Sequence, residues 1–199
     1  METVKPNIRI LKLLLKDFTI KPTITVLSKE IDMSRVGTWK VLKKLETEQL
    51  IFLSSVGEGK TSTYNILLNW KNPLLVKTLA LALTEESIKN PRWLSNFKEL
   101  ESKLDFLLIY GSIIHSPKEA NDIDLLGIIS KKNFLLIEEI IKKIQKTQIK
   151  KIHLRNLTSA EFKAELKKPN KVFVDAVKKG IVLFGQEKFI KFINDLSKK

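Results

Sequence analysis

Residues 106–129 read FLLIYGSIIHSPKEANDIDLLGII. The run opens apolar, breaks at Gly111-Ser112, passes through a polar connection, and returns as a second apolar run carrying Asp122 and Asp124. This is the pattern of a buried strand, a tight turn, a connection and a second buried strand. Side chains alternate along a strand, so Asp122 and Asp124 share one face of the second strand. Two neighbouring carboxylates repel unless a cation lies between them, and a hard divalent cation such as Mg²⁺ takes oxygen ligands while keeping positions open for phosphate oxygens. Gly111 lets the backbone approach a phosphate, and Ser112 offers a hydroxyl and an N–H beside it. The plainer alternative, a hairpin edge with solvated acids, does not explain two acids inside so apolar a run.

Gly111-Ser112, the intervening residues 113–121, and then Asp122-Ile123-Asp124 resemble the signature of the DNA polymerase β-type nucleotidyltransferase superfamily, in particular its minimal nucleotidyltransferase branch. The ending KKGIVLFGQEKF, residues 178–189, is similar to the close of such domains, where a short strand leads into a last helix. The resemblance implies that Gly111 and Ser112 hold the triphosphate of a nucleotide, ATP foremost, and that Asp122 and Asp124 bind Mg²⁺ or Mn²⁺ and are catalytic. The family's third carboxylate lies on the next strand, between apolar residues. Here that stretch is KKIHLR, residues 150–155, and His153 stands where the acid would be. A neutral imidazole is a poor Mg²⁺ ligand. His153 is open to three readings: a general base near neutral pH, a ligand suited to Mn²⁺ or Zn²⁺, or a partly exposed residue on a lysine-rich strand. A second departure follows Gly-Ser, where the branch often has an arginine and a glycine and this chain has Ile113-Ile114-His115-Ser116-Pro117-Lys118.

Outward from this core, residues 105–199 alternate strand and helix. Strands are expected at 105–110, 123–129, 150–157 and 181–184, with helices near 133–147, 158–167, 170–179 and 186–197. That alternation describes an α/β domain around one central mixed sheet. Toward the N-terminus, residues 7–18 place Ile8, Leu11, Leu14, Leu15 and Phe18 on one helical stripe. Thr23 is suited to cap a second helix ending near Ile31, with Leu27 and Ile31 inward. Ser34 is suited to cap a third, to about Glu48, with Thr38, Leu42 and Leu45 inward. Leu50–Val56 and Thr61–Leu68 read as strands around a turn at Gly57–Lys60.

Two short helices, a tight turn, a third helix and a hairpin resemble the winged helix-turn-helix domains of bacterial and archaeal regulators, although Gln49 stands where many have glycine. The resemblance implies double-stranded DNA as partner. Arg35, Val36, Trp39, Lys40 and Lys43 are then the outward residues of the recognition helix, with Lys60 on the wing. Arg35 is the candidate for a guanine edge, and the lysines for phosphates. Trp39 is also compatible with packing at a helix junction.

Between the two lies a helical connector. Pro73 opens a very apolar helix to about Ser87, Asn90-Pro91 breaks it, and a second helix is expected to Lys103. A helix apolar nearly all round needs partners on more than one side, so it either packs between domains or forms a homodimer interface.

Composition bounds the rest. At 199 residues and 43% hydrophobic, the chain is long enough for one large or two small domains with real cores. It has no cysteine, which excludes disulfides, thiolate metal sites and a cysteine nucleophile. No apolar run approaches a membrane span and Met1-Glu2 begins no signal peptide, so a cytoplasmic protein without membrane contact is expected. The net charge of +14 favours a polyanionic partner. Residues 1–70 carry 11 basic and 7 acidic side chains, whereas residues 105–199 carry 19 and 11. Most of the excess is therefore outside the DNA-binding segment.

The sequence thus describes a two-domain α+β and α/β protein: a winged helix over 1–70, a connector over 71–104, and a nucleotidyltransferase-like domain over 105–199. Two functions follow from the resemblances. One is a transcriptional regulator whose transferase-like domain binds Mg²⁺ and NTP. The other is an active nucleotidyltransferase acting on a hydroxyl of a small molecule or of a partner protein, such as a HEPN-family toxin.

Overall fold

The computed structural model describes residues 5–19, 21–56, 63–168 and 171–197. It is a mixed α/β fold that divides into two compact units, Met1–Ala82 and Leu83–Lys199.

The first unit begins with α1 (Pro6–Lys16), α2 (Ile24–Glu30) and α3 (Arg35–Thr47). The expected caps are in place: Thr23 Oγ1 accepts from the Val26 amide at 3.3 Å, and Ser34 Oγ accepts from the Gly37 amide at 3.0 Å. Each satisfies a helix-start amide that would otherwise lack a partner. Leu27, Ile31, Thr38, Leu42 and Leu45 are buried, as their spacing predicts. In α1 the buried stripe includes Ile10, Leu11 and Leu15, while Ile8 and Leu14 are half-buried, as is Phe18, which lies beyond the helix end at Lys16 rather than within it. The inward face is therefore rotated from the expected one.

Helices α2 and α3 stop in the same way. Asp32 (φ 55°) and Gln49 (φ 56°) adopt left-handed backbone. The Leu50 amide reaches back to the Leu45 carbonyl and the Gln49 amide to that of Glu46, both at 2.9 Å, closing a Schellman motif. The chain then turns into β1 (Ile51–Val56), which pairs antiparallel with β2 (Thr63–Leu68), Ile51 facing Leu68. Lys60 and the expected turn at 57–60 lie outside the described residues.

The division between units falls within α4 (Pro73–Ile88). The second connector helix expected to reach Lys103 is instead α5 (Pro91–Asn96) followed by a 3₁₀ turn, Lys98–Lys103. Phe97 breaks the helix (φ −108°, ψ 12°), and the break goes with burial: Trp93, Phe97, Leu100 and Leu104 all enter the second unit's core.

That core is built on a four-stranded sheet of β3 (Phe106–Tyr110), β4 (Asp122–Ile128), β5 (Lys151–Leu157) and β6 (Ile181–Phe184), in the order β5-β4-β3-β6. β4 runs antiparallel to β3 and parallel to β5. A parallel neighbour needs a crossover rather than a hairpin, and α7 (Phe134–Gln145) lies on it. One face of the sheet, with Leu107, Ile109, Ile123, Leu125 and Ile152, packs with Trp93, Phe97 and the α7 residues Ile137, Ile140 and Ile144.

The opposite face carries Phe106. Its ring lies 5.4 Å from Phe189 and 5.5 Å from Phe192 of α10 (Gln186–Ser197), and 6.3 Å from Phe162 of α8 (Ser159–Glu165). The second unit also carries α6 (Ser112–His115) and α9 (Lys171–Lys179). Cross-strand partners share a face. The pairings Phe106 with Ile128, Leu108 with Leu126 and Tyr110 with Asp124 therefore carry this face from an aromatic core to an acidic end. Among the described residues no helix is long and apolar enough to cross a membrane.

Candidate metal centre

β3 ends at Tyr110, and Gly111 turns the chain out of the sheet with φ 81° and ψ −164°, a conformation essentially confined to glycine. A Cβ on Gly111 would sit 2.7 Å from Asp124 Oδ2, so the turn lies directly against that carboxylate. Ser112 opens α6 and is exposed, as is His115 at its end.

The chain re-enters the sheet at Asp122. Lys150, just before β5, donates to the Ala120 carbonyl and reaches that of Lys118 at 3.4 Å. It thus ties the entry of β4 to the entry of β5. The register sets Asp124 beside His153 on the parallel neighbour and beside Tyr110 on the antiparallel one.

Asp122, Asp124 and His153 converge, each offering a ligand atom within 4.8 Å of the others. His153 Nδ1 lies 3.3 Å from Asp122 Oδ2 and 3.7 Å from Asp124 Oδ1. The side chains keep 44% (His153), 35% (Asp122) and 28% (Asp124) of their exposure, so the cluster opens to solvent. Burial, and then the charge of Asp122, raise the Asp124 carboxyl above its ordinary value, while His153 and Arg155 pull the other way. Burial and Asp124 likewise raise the Tyr110 phenol, with Arg155 opposing.

A cation between the carboxylates would relieve the penalty carried by Asp124. Two carboxylates and an imidazole with open space in front form a donor set that fits a divalent metal. Asp175, the nearest later acid, lies on α9 and is not among the residues grouped here.

Tyr110 and Arg155 join the site without a motif to announce them. Arg155 is two positions beyond His153 and therefore on its face of β5. Tyr110 immediately precedes Gly111 and is the cross-strand partner of Asp124. Strand alternation would have marked Arg155, and the strand pairing marks Tyr110.

In the first unit, the outward residues of α3 are placed as expected. Arg35, Val36, Lys40 and Lys43 are exposed, and Trp39 is half-buried. Trp39 packs on Tyr64 of β2, with ring centroids 4.8 Å apart. Lys43 Nζ sits 4.9 Å over the Trp39 ring and 2.8 Å from Glu46 Oε2. Trp39 thus both braces the hairpin and remains partly accessible, and Lys43 is held by its own helix.

No family model matches the sequence, and no curated protein or solved structure matches it.

Proposed function

We propose that the protein is a DNA-binding regulator whose second unit holds a nucleoside triphosphate together with a divalent cation. The observation that carries the reading is the convergence of Asp122, Asp124 and His153 beside the glycine turn at Gly111. Bound there, a divalent cation would neutralise phosphate charge and orient the nucleotide. The chain's own part is to hold the cation through Asp122 and Asp124 and to let phosphate oxygens approach the Gly111–Ser112 backbone. Arg155 contributes positive charge on the same face.

The regulator half of the reading rests on the three helices of the first unit, α2 and α3 of them capped, on its hairpin, and on the exposed Arg35, Val36 and Lys40 of α3. In this reading the first unit is a winged helix, α3 lies in the major groove, and the second unit is nucleotidyltransferase-like.

Calorimetric titration with ATP, with and without Mg²⁺ or Mn²⁺, tests the nucleotide site. Metal-dependent binding that disappears in the Asp122→Asn, Asp124→Asn double variant supports it. Equal binding by that variant overturns the site assignment.

His153 favours a second reading, an active nucleotidyltransferase. Its imidazole stands beside both carboxylates, where a histidine can take the proton of an attacking hydroxyl. Release of pyrophosphate from ATP in the presence of an acceptor distinguishes catalysis from binding.

The same proposal takes the protein as a homodimer. Helix α4 leaves Leu74 (56%), Leu81 (61%) and Ile88 (61%) exposed at every seventh position, so they line one side of the helix. An antiparallel pair of α4 helices centred on Leu81 sets Leu74 against the partner's Ile88. The stripe is therefore matched to a second copy of itself.

A further inference from the structure

We infer that Asp122, Asp124 and His153 form a mixed oxygen–nitrogen site selective for a first-row transition dication over Mg²⁺. The inference rests on the reading of this cluster as a metal site and goes further by assigning the third ligand and, with it, the metal class.

The geometry is that of ligands around one ion. Metal–ligand bonds of about 2.1 Å in an octahedron set ligand–ligand separations between about 3 and 4.2 Å. His153 Nδ1 lies 3.3 Å from one carboxylate oxygen and 3.7 Å from the other, inside that window. The ligand atoms of all three side chains lie within 4.8 Å of one another. The imidazole is aimed between the two acids rather than past them. The parallel β4–β5 register holds it there by pairing Asp124 with His153.

The chemistry then discriminates. Mg²⁺ prefers oxygen ligands and gives up water reluctantly, so a nitrogen in the third position gains it little. First-row transition dications accept imidazole readily, with affinity rising from Mn²⁺ onward along the series. Mn²⁺ is the weakest binder of that series, so a preference for Mn²⁺ over Mg²⁺ is the most stringent form of the test. Mn²⁺ also accepts carboxylate and phosphate oxygens, so the selection is compatible with a nucleotide on the open side.

The experiment titrates the full-length protein with Mn²⁺ alone, following free Mn²⁺ by electron paramagnetic resonance, and competes it with Mg²⁺. Electron spin echo modulation on the bound ion reads histidine nitrogen coupling directly. Wild type is expected to bind Mn²⁺ at least about tenfold more tightly than Mg²⁺ and to show the nitrogen coupling. His153→Gln should lose the coupling and about tenfold or more in Mn²⁺ affinity, no less than the loss of an outer-shell partner costs. His153→Asp should keep metal binding without the coupling and narrow the Mn²⁺ preference. Circular dichroism confirms that each variant is folded, which the exposure of His153 favours. Mn²⁺ and Mg²⁺ binding equally, with no nitrogen coupling and no effect of His153→Gln, overturns the inference and leaves the metal–nucleotide reading standing. Failure of either ion to bind wild type overturns both.

Discussion

Gly111 and Asp124 are in contact through the absence of a side chain: a Cβ on the glycine would stand 2.7 Å from the Asp124 Oδ2 atom. The turn and the carboxylate are thus one object, and a change to either is felt by the other. Gly111→Ala imposes a strained backbone, costing about 1–3 kcal/mol, and pushes the Asp124 carboxylate aside. Metal affinity is expected to fall more than stability, because a carboxylate swings away more easily than a backbone shifts. Thermal melting and Mn²⁺ titration on the same variant measure the two effects. An Ala variant with unchanged metal affinity would contradict the coupling.

The raised pKa of Asp124 gives a stability effect with a definite sign. The unfolded chain titrates this group near its ordinary 3.8, whereas burial and Asp122 hold the folded value higher. Between the two, the folded state binds more protons, so stability falls as pH rises through that window and stays reduced above it. With divalent cations chelated, Asp124→Asn is therefore expected to melt higher than wild type at pH 7. The gain should vanish as pH falls to about 3, where the wild-type carboxyl is neutral. A gain that persists unchanged at pH 3 would point to a cause other than charge.

Gln49 occupies a left-handed backbone position at the end of α3 (φ 56°). Its backbone carbonyl accepts from Asn69 at 2.8 Å and Asn72 at 3.0 Å, and its side chain is exposed. Gln49→Gly keeps those bonds and removes the Cβ penalty, against some loss of unfolded-state restriction. A gain of up to about 1 kcal/mol is expected, read as a rise in the unfolding midpoint.

If α3 lies in a DNA groove, its exposed cations set the salt dependence. Affinity for random-sequence duplex DNA should fall steeply with salt, and Lys40→Ala should reduce the log–log slope by about 1. A flat salt response in wild type would remove the DNA role.

The α4 stripe makes a separate claim. Leu81→Glu places like charges at the centre of the proposed antiparallel pair, and it should convert the dimer to monomer in sedimentation at micromolar concentration. Leu81 is exposed in the single chain, so secondary structure by circular dichroism should be unchanged. A wild type that sediments as a monomer would itself refute the seam.

What could be read beforehand was local. Thr23 and Ser34 announced two helix starts because a small polar residue before an apolar period has little else to do there. Strand alternation alone put Asp122 and Asp124 on one face. The alignment of His153 with Asp124 depends on strand pairing between segments separated by a helix, and no local pattern encodes that register. Tyr110 was invisible for the same reason. The break at Phe97 was decided by tertiary burial overriding a helical stretch, and the rotation of the α1 stripe toward Ile10 by what packs against it.

The parallel pairing of β4 with β5 also sets the order of events as the chain folds. β3 and β4 can meet soon after both exist, leaving Asp122 and Asp124 as a bare repelling pair. The imidazole arrives only when the excursion through α7 has closed, a non-local step with a larger entropy cost and a slower rate. An ion held by all three side chains would span two strands that no hairpin joins, so its capture is expected after the β3–β4 pair has formed rather than with it. Uptake of Mn²⁺ would then serve as a clock for the pairing of β4 with β5.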